Sequence, residues 1–356
     1  MSETRTVRLG SLIKPAGKRA GENSELPVYS VTKHQGFVPS LEYFKKQVFS
    51  RETKSYKVVE QGQFAYATIH LDEGSIGIAP EKCIISPMYT VFEVASEEVI
   101  PEYLLLYLKG PRAMATYPLL GQGAIERRMA ISLKSLSTLE IPLPPLEHQE
   151  QEVKSFNLQT TITKKRERQQ ELYTELERSL FISIFGNPET WANKFEMTTI
   201  GDLAKSTQYG TSAKAGATGE YPVLRMGNIT DDGKIDLSDL KYMDLSPEEV
   251  EKYTVRKGDL LFNRTNSKEK VGKAAVVLTD EKLAYAGYLV RVRFKNPDHA
   301  HFVAAFLNSD YGRKLRRKLA KTAVNQANIN AKELTKIPII EPENAKIINF
   351  NNFFTL

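Results

Sequence analysis

Residues 147–185 read EHQEQEVKSFNLQTTITKKRERQQELYTELERSLFISIF, without a glycine or a proline. Apolar side chains recur there at three- and four-residue steps among Lys, Arg, Glu and Gln, which is the spacing of one face of an α-helix. The members of this apolar stripe are Val153, Phe156, Ile162, Leu172, Leu176, Leu180 and Ile184. Gly186-Asn187-Pro188 stops the pattern. We therefore predict one helix of about 39 residues, roughly 58 Å long at a rise of about 1.5 Å per residue.

The apolar stripe of this helix is too long to be covered by small flanking domains alone. A second helix packed along it, as in a coiled coil, would bury it. The alternative is a charged linker helix whose surface stays solvated.

Landmarks of the sequence before this helix return after it in the same order. They are LPV 26–28 as YPV 221–223, Gly62 as Gly258, Ile76-Gly77 as Val271-Gly272, YLLLYL 103–108 as FVAAFL 302–307, and IP 141–142 as IP 337–338. The first three are displaced by 195 or 196 residues. Each match alone is weak, because glycine and proline are common at turns, but together the matches indicate a duplication. A period this long is not that of a solenoid, so two homologous globular domains are predicted.

Each copy mixes strands with a few helices. In the second copy, Tyr253–Phe262 has the pattern strand, turn, strand, and Ala274–Leu278 and Tyr288–Phe294 are rich in β-branched and aromatic residues. His301–Leu319 has helical spacing. The predicted fold class is α+β, with two mixed α/β domains joined by a long α-helix. The predicted boundaries are 1–145 for the first domain, 146–186 for the helix, 187–338 for the second domain and 339–356 for a short helical segment.

The composition is that of a globular protein, with 41% hydrophobic and 26% charged residues among 356, enough for two cores. A formal charge of +6 and a pI near 9.0 fit a polyanionic partner, although many other proteins share them. Cys83 is the single cysteine, so an internal disulfide and a cysteine-based zinc site are excluded. Residues 1–9 lack the apolar run of a signal peptide, and no window approaches the roughly 20 apolar residues of a membrane span. We therefore expect a cytoplasmic protein.

Several motifs occur together between residues 141 and 267. They are IPLPPLEHQ at 141–149, LFISIFGNP at 180–188, YGTS at 209–212, YPVLRMGNI at 221–229 and GDLLFNRTNS at 258–267. In the order domain, long helix, domain, this combination closely resembles the specificity subunits of Type I restriction-modification systems. The resemblance implies two target recognition domains, each recognising one half of a split double-stranded DNA site from the major groove.

The same resemblance implies partners for the long helix. In that family the long helices set the distance between the half-sites and dock methyltransferase subunits, and through them restriction subunits. The methyltransferase subunits carry the S-adenosylmethionine chemistry, so no cofactor is expected on this chain. Only 18 residues follow Pro338, where the family carries a second long helix. We expect this second helix to be shortened to about four turns at most, which leaves self-association or another chain to complete the helical pair.

The segment Arg264-Thr265-Asn266-Ser267 directly follows a predicted strand and is the first candidate for contact with bases. Arginine to guanine and asparagine to adenine are the common pairings at base edges. The alternative is a solvated turn in which Asn and Ser bond the local backbone. Two other polar segments are candidates on similar grounds. They contribute Arg225, Asn228, Tyr209, Thr211, Ser212 and Lys214.

A cluster of cations occupies residues 313–321 of the predicted helix. Because residues 314, 318 and 321 are neighbours on a helix, several of these cations would share one face and bind phosphates. The alternative is a lysine-rich solvent face. The candidate DNA contacts here are Arg313, Arg317, Lys318 and Lys321, with Gln326 in the loop that follows.

The first copy has different side chains at the equivalent places. His70 ends the segment that corresponds to Phe262–Asn266, and Arg127 and Arg128 precede the shared C-terminal landmark. These three are candidate DNA contacts of the first domain, and an ordinary loop histidine is the alternative for His70. Different side chains on one scaffold are what two unlike half-sites require.

Signs of catalysis are missing from the sequence. It has no Asn-Pro-Pro-aromatic motif for adenine methylation, no glycine-rich cofactor loop, no phosphate-binding loop, and no His or Cys cluster with metal spacing. We therefore expect a non-catalytic binding subunit with no catalytic residue, metal or cofactor. The rivals are a nuclease or methyltransferase with an unrecognised site, and a helical dimerisation scaffold without sequence-specific DNA binding.

Overall fold

The computed structural model describes residues 4–21, 25–44, 49–50, 52–121, 130–323 and 326–355. The chain divides into two compact units, Met1–Lys165 and Arg166–Leu356, so the division falls inside the long helix. Among the described residues, no helix is both long enough and apolar enough to cross a membrane.

Unit 1 is built on two sheets and a strand pair. Its strands are β1 (Arg5–Arg8), β2 (Ile13–Pro15), β3 (Lys18–Arg19), β4 (Val28–Thr32), β5 (Gly36–Pro39), β6 (Lys57–Val59), β7 (Phe64–Ala67), β8 (Ile76–Ile78), β9 (Cys83–Ile85), β10 (Tyr89–Val94) and β11 (Glu140–Leu143). Its helices before the long one are α1 (Ser40–Tyr43), α2 (Pro101–Lys109), α3 (Pro111–Leu120) and α4 (Leu133–Leu136). The sheet orders are β2-β10-β7-β8 and β3-β6-β9-β4-β5, and β1 pairs with β11.

The core of unit 1 forms where α2 and α3 cover the sheet that contains β7 and β10. Phe64 and Phe92, which are cross-strand partners, are both fully buried and stack with ring centroids 4.8 Å apart. The buried Tyr66 uses its hydroxyl to donate to the backbone oxygen of Ile131 at 2.9 Å, so its polar end is satisfied. The apolar landmark of residues 103–108 supplies the buried face of α2.

The long helix, α5, runs from Leu146 to Phe185 without interruption over 40 residues. Its first turn is fixed to unit 1 by Gln149, which is fully buried. The Gln149 amide donates to the backbone oxygens of Glu98 at 2.9 Å and Pro144 at 2.8 Å, and its oxygen accepts from the N–H of Ile100 at 2.8 Å. The glutamine of the IPLPPLEHQ motif therefore has a structural role, because it satisfies backbone groups where the helix begins.

Unit 2 begins within α5 and repeats the same mixture of elements. Its strands are β12 (Met197–Thr199), β13 (Ala204–Tyr209), β14 (Tyr221–Leu224), β15 (Lys241–Met243), β16 (Thr254–Val255), β17 (Leu260–Asn263), β18 (Thr265–Asn266), β19 (Ala274–Val276), β20 (Leu283–Tyr285), β21 (Leu289–Phe294), β22 (Lys321–Ala323), β23 (Gln326–Asn328) and β24 (Pro338–Ile340). Its further helices are α6 (Ile200–Leu203), α7 (Pro247–Tyr253), α8 (His299–Asn308), α9 (Asp310–Leu319), α10 (Ala331–Thr335) and α11 (Asn344–Asn351).

The two units share one topology. The order β2-β10-β7-β8 in unit 1 is repeated as β13-β21-β17-β19 in unit 2, and β6-β9-β4-β5 is repeated as β16-β20-β14-β15. Each copy contains one parallel pair, in which Val28 lies opposite Ile84 and Val223 lies opposite Ala284. The predicted duplication and fold class are confirmed by this match. Unit 2 also contains a small sheet, β18-β23-β22.

An aromatic cluster forms the centre of the unit 2 core. Phe181 and Phe185 at the end of α5 pack on Phe302 of α8, with ring centroids 5.8 and 4.7 Å away. The chain's one tryptophan, Trp191, stacks on Phe306 at 5.3 Å and donates its indole N–H to the backbone oxygen of Phe185 at 2.8 Å. The motif LFISIFGNP thus supplies both the end of the long helix and part of a domain core.

Three details differ from the sequence-based expectations. Residues 301–319 form two helices, because Ser309 has extended backbone and its side chain caps α9 by accepting from the N–H of Gly312 at 3.0 Å. Lys321 lies on β22 beyond the helix. The segment 339–356 is helical over α11, but its first residues belong to β24, which pairs with β12, and the fully buried Phe350 joins the unit 2 core.

The apolar stripe of α5 stays largely uncovered within each unit. Phe156, Ile162, Leu172 and Leu176 are between 40% and 52% exposed. At the C-terminal end of α5 the buried side chains are Phe181 and Phe185, which are not members of the predicted stripe.

Candidate nucleic-acid interface

The small sheet of unit 2 brings two distant candidate segments together. Thr265 of β18 lies opposite Asn328 of β23, and Asn266 lies opposite Ala327. Lys321 of β22 also pairs with Asn328 on the other side of β23. The segment after β17 and the strand pair β22-β23, which the sequence treated separately, therefore form one surface.

Arg264 is held at the edge of this surface by its backbone and its side chain. Its carbonyl accepts from the N–H of Ile329 at 2.9 Å, and its own N–H donates to the carbonyl of Tyr288 at 3.0 Å. The guanidinium group lies over the ring of Tyr209, 5.0 Å from the centroid, and donates to the carbonyl of Gly287 at 3.3 Å. Its buried Nε atom has no protein partner among the described residues. The side chain is thus oriented while part of its donor set stays unused.

Tyr209 and the loop after it are fixed by close backbone packing. A Cβ on Gly210 would lie 2.3 Å from the carbonyl oxygen of Ala286, so only glycine fits there. Thr211 is 5% exposed, and its hydroxyl accepts from the N–H of Ala213 at 3.1 Å. Ser212 and Lys214, which follow on the same loop, are exposed. Of these loop candidates, Tyr209, Ser212 and Lys214 have side chains available to a ligand, and Thr211 is a structural residue.

The remaining members of the 264–267 segment divide in the same way. Thr265 is 7% exposed, and its hydroxyl accepts from the side-chain amide of Asn328 at 2.7 Å, which ties β18 to β23. Asn266 and Ser267 are half-buried, and the amide oxygen of Asn266 accepts from the N–H of Ser267 at 2.9 Å. This last bond is the local turn interaction that was the alternative for the segment. Thr265 is therefore a positioning residue.

Arg225 and Asn228 organise a different loop. The guanidinium of Arg225 binds the carboxylate of Asp239 at 2.8 Å. Asn228 is 4% exposed; its amide donates to the backbone oxygens of Asp236 and Asp239 and its oxygen accepts from the N–H of Arg225, each at 2.9 Å. All of these bonds stay within unit 2. Asn228 therefore has a structural role, because these bonds satisfy its buried amide within the loop.

Three exposed cations of α9, Lys314, Arg317 and Lys318, are three or four residues apart and so share one face of the helix. Lys321 lies on β22 and forms an ion pair with Glu333 at 2.8 Å. Lys314 forms an ion pair with Glu189 at 3.0 Å. Arg317 and Lys318 are exposed, Arg313 is half-buried, and Gln326 of β23 is exposed. Arg317 and Lys318 are thus the cations of α9 best placed for a polyanion.

Arg316 is the buried cation of this helix. It is 4% exposed and donates to the backbone oxygen of Val271 at 3.2 Å. Burial, together with the nearby guanidinium groups of Arg313 and Arg317, lowers the pKa of Arg316. The group still stays charged at neutral pH, because an arginine starts from so high a value. It anchors α9 to the Val271-Gly272 landmark.

Unit 1 places Thr68 where unit 2 places Arg264. The Thr68 carbonyl accepts from the N–H of Ile131 at 2.9 Å, as the Arg264 carbonyl does from Ile329. Nearby, His70 is exposed over half of its side chain and lies 3.2 Å from the carboxylate of Glu73. The other two candidates of this domain, Arg127 and Arg128, lie outside the described residues.

Two side chains near Arg264 were missed by the sequence analysis. Tyr288 lies in the turn between β20 and β21 and is 53% exposed. Asn263 is the last residue of β17 and is fully buried. The dipeptide Gly287-Tyr288 between two apolar strands was the signal for an exposed turn. In the part of the chain that the structure describes, no group of three or more His, Cys, Asp or Glu residues could hold a metal ion.

The fold defines a class of tandem proteins in which one mixed α/β unit is used twice around a long helix. A family model described as the Type I restriction modification DNA specificity domain matches residues 4–177 and 191–350. The chain belongs to this family, which confirms the resemblance that its motifs indicated.

Two curated relatives share parts of the sequence. A protein named for the type I restriction enzyme MjaX specificity subunit, from Methanocaldococcus jannaschii, is 32% identical over 167 residues, 45% of this chain and 38% of that protein. The type I restriction enzyme EcoKI specificity subunit from Escherichia coli strain K12 is 26% identical over 233 residues, 60% of this chain and 50% of that protein. The chain therefore matches half or less of the length of these relatives.

A solved structure supports the fold. The S subunit of a Type-I restriction-modification system from M. genitalium superposes with a TM-score of 0.61 at 11% sequence identity, covering 99% of this chain and 89% of that one. At this identity the match bears on the fold alone.

Proposed function

We propose that this chain is the DNA-sequence-recognition subunit of a type I restriction-modification enzyme. Each unit would recognise one half of a bipartite double-stranded DNA site, and neither unit would catalyse a reaction. Methylation and cleavage would be carried out by methyltransferase and restriction subunits bound to it, in the cytoplasm.

This proposal rests on one backbone arrangement that occurs in both units and carries a different side chain in each. Thr68 and Arg264 accept the same backbone hydrogen bond, from Ile131 and Ile329, in units of the same topology. A threonine and an arginine differ in size, charge and hydrogen-bonding groups, so they suit different base edges. Two unlike half-sites need this arrangement, in which the scaffold is kept and the contact chemistry changes.

Exposed cations of unit 2 supply the sequence-independent part of binding. Arg317 and Lys318 on α9 and Lys214 on the loop after β13 are exposed. Lysine and arginine side chains bind phosphates and fix the register of a protein on a duplex, whereas contacts at base edges discriminate between sequences. The net charge of +6 has the sign that such binding requires.

The exposed apolar side chains of α5 support a helical partner. Leu172 and Leu176 are one turn apart and 49% and 52% exposed, and Phe156 and Ile162 extend the stripe toward unit 1. A methyltransferase subunit packed along this stripe would remove it from water. Docking of that subunit would couple recognition to S-adenosylmethionine chemistry, and the length of α5 would set the spacing of the half-sites. Self-association through the stripe is the competing arrangement.

The test is selection of DNA from a random library. The full chain is purified together with the methyltransferase encoded beside it, and bound duplexes with randomised sequence are recovered and sequenced. We expect a motif of two unrelated halves separated by a spacer of fixed length. Binding without any sequence preference would favour a helical scaffold, and methyl transfer or cleavage by the purified chain alone would favour an enzyme.

A further inference from the structure

A large apolar side chain stands exposed at the same place in both units. Met88 directly precedes β10 and is 64% exposed, and Tyr288 directly precedes β21 and is 53% exposed. Strand β10 lies between β2 and β7, and β21 lies between their equivalents β13 and β17. The two strands therefore hold the same position in the repeated sheet. Met88 and Tyr288 are therefore equivalent residues of the duplicated fold.

The backbone carbonyl of each of these residues is hydrogen-bonded to the residue proposed to contact bases in its own unit. The hydroxyl of Thr68 donates to the carbonyl oxygen of Met88 at 2.8 Å. The backbone N–H of Arg264 donates to the carbonyl oxygen of Tyr288 at 3.0 Å, and its guanidinium donates to the carbonyl of the preceding Gly287 at 3.3 Å. The exposed apolar group and the polar group beside it thus share one short stretch of the edge of each unit.

The chemistry of the two positions indicates a contact with an apolar group on DNA. An exposed methionine or tyrosine leaves apolar surface in water, and burying that surface on binding is favourable. In the major groove the apolar group on a base edge is the C5 methyl of thymine. The side chains also differ between the units, as Thr68 and Arg264 do, while their position stays the same. A residue that determines specificity needs the same position in both copies and a side chain that differs between them.

We propose that Met88 and Tyr288 are specificity-determining residues, each contacting a thymine methyl group in the half-site that its own unit recognises. Tyr288 would contact the base pair next to the one recognised by Arg264, and Met88 the pair next to the one contacted by Thr68. This inference rests on the proposed DNA-recognition function.

Selection from a random duplex library tests the inference with the chain and its methyltransferase together. We expect Met88→Ala to relax the preference for a T·A pair in one half of the motif, and Tyr288→Ala to do so in the other half. Leu278→Ala is the matched control, because Leu278 is an apolar side chain that is 57% exposed. It follows Val276, which pairs with Leu260 at the start of β17, whereas Arg264 follows the end of that strand. The control is expected to leave both halves unchanged.

A change in the DNA tests the same contact without altering the protein. Deoxyuridine in place of thymidine at the relaxed position removes only the methyl group, and we expect it to weaken wild-type binding about four-fold, the effect of one buried methylene-sized group. The Tyr288→Ala protein should lose nothing further. A motif that neither variant alters, or a uracil effect that is equal in wild type and variant, overturns the inference. A wild-type protein that selects no motif refutes the proposed function instead.

Discussion

The guanidinium group of Arg264 lies over the ring of Tyr209, 5.0 Å from the ring centroid. The hydroxyl of Tyr209 accepts a hydrogen bond from the N–H of Ala331 at 2.9 Å, so the ring itself is held by the chain that follows β23. Two distant parts of unit 2 therefore fix the plane of one guanidinium group. A planar group with a fixed orientation suits bidentate recognition of a guanine edge.

We expect Arg264→Ala to relax one position in one half of the recognised site, at a cost of about 1–3 kcal/mol for the preferred base. Arg264→Lys should lose nearly as much discrimination, because an ammonium group keeps the charge but not the fork. Binding constants for duplexes that differ at each motif position measure this.

The matched control for Arg264 is Lys257→Ala. Lys257 is an exposed cation before β17, at the other end of the strand that leads to Arg264. A loss of affinity that is equal for every sequence in the Arg264 variants would show that Arg264 only binds phosphate.

Lys318→Ala should weaken binding to all sequences alike. Lys318 is exposed on α9, where a single phosphate contact is expected. Loss of one such contact should lower the slope of log K against log salt by about 0.9. Titrations at several salt concentrations give the slope, and Lys282→Ala, which removes an exposed lysine just before β20, should leave it unchanged.

We expect the double variant Leu172→Gln and Leu176→Gln to lose the methyltransferase subunit on size-exclusion chromatography. Both side chains are about half exposed in the structure, so their replacement removes apolar surface needed by a partner without opening a core. Arg166→Gln, a polar change at an exposed position of the same helix, is the control. Retention of the partner by the double variant would place the docking surface elsewhere.

Phe302→Ala should lower the free energy of unfolding of unit 2 by about 3–5 kcal/mol, because it removes a fully buried ring from the aromatic cluster. Trp191 is the one tryptophan of the chain and contacts Phe302 at 5.9 Å between ring centroids, so its fluorescence during denaturation reports on this unit. Phe195→Ala removes a ring that is 44% exposed and should cost about 1 kcal/mol or less. Similar costs for the two variants would contradict the core described for unit 2.

Glu177 on α5 gives unit 2 a pH-dependent stability. Burial raises the pKa of Glu177 to about 7; the carboxylate of Asp232 adds to the rise and Lys234 opposes it. Arg178, Glu189, Asp310, Arg313 and Lys314 line a cavity of about 280 Å³ on one side of it, and His301 lines one of about 260 Å³ on the other. The folded chain therefore holds this proton at a pH where the unfolded chain has released it.

It follows that the free energy of unfolding falls as the pH rises from about 4.3, the value of an unfolded glutamate, to about 7. Glu177→Gln removes the titrating group, so we expect the variant to gain stability over wild type at about pH 8 and to match it only below about pH 4. Denaturation of both proteins across this range measures the difference. Glu175→Gln, at an exposed position of the same helix, is the control variant. A gain for Glu177→Gln that is the same at every pH would contradict the raised pKa.

The sequence predicted the long helix and the duplicated domains because local sequence patterns encode both. The helix α5 follows from a periodic stripe without glycine or proline between 147 and 185, and the structure extends it by one residue, to Leu146. The helix boundary at Ser309 was missed, because helical spacing on both sides masked a capping residue whose partner is Gly312. The duplication followed from landmarks repeated in the same order, most of them glycine or proline at turns and one of them the apolar run 103–108, which returns at 302–307.

The sequence by itself determined a tandem fold and a long helix, since spacing, turn residues and repetition are properties of neighbouring residues. Which polar side chains face solvent together was decided by tertiary structure alone. The pairing of β18 with β23 brings Asn266 beside the strand pair β22-β23, and the same folding buries Thr265 and Asn228. The physical reason is that a side chain's hydrogen-bond partners come from strands far away in the chain, and those partners determine whether it is structural or free to bind DNA.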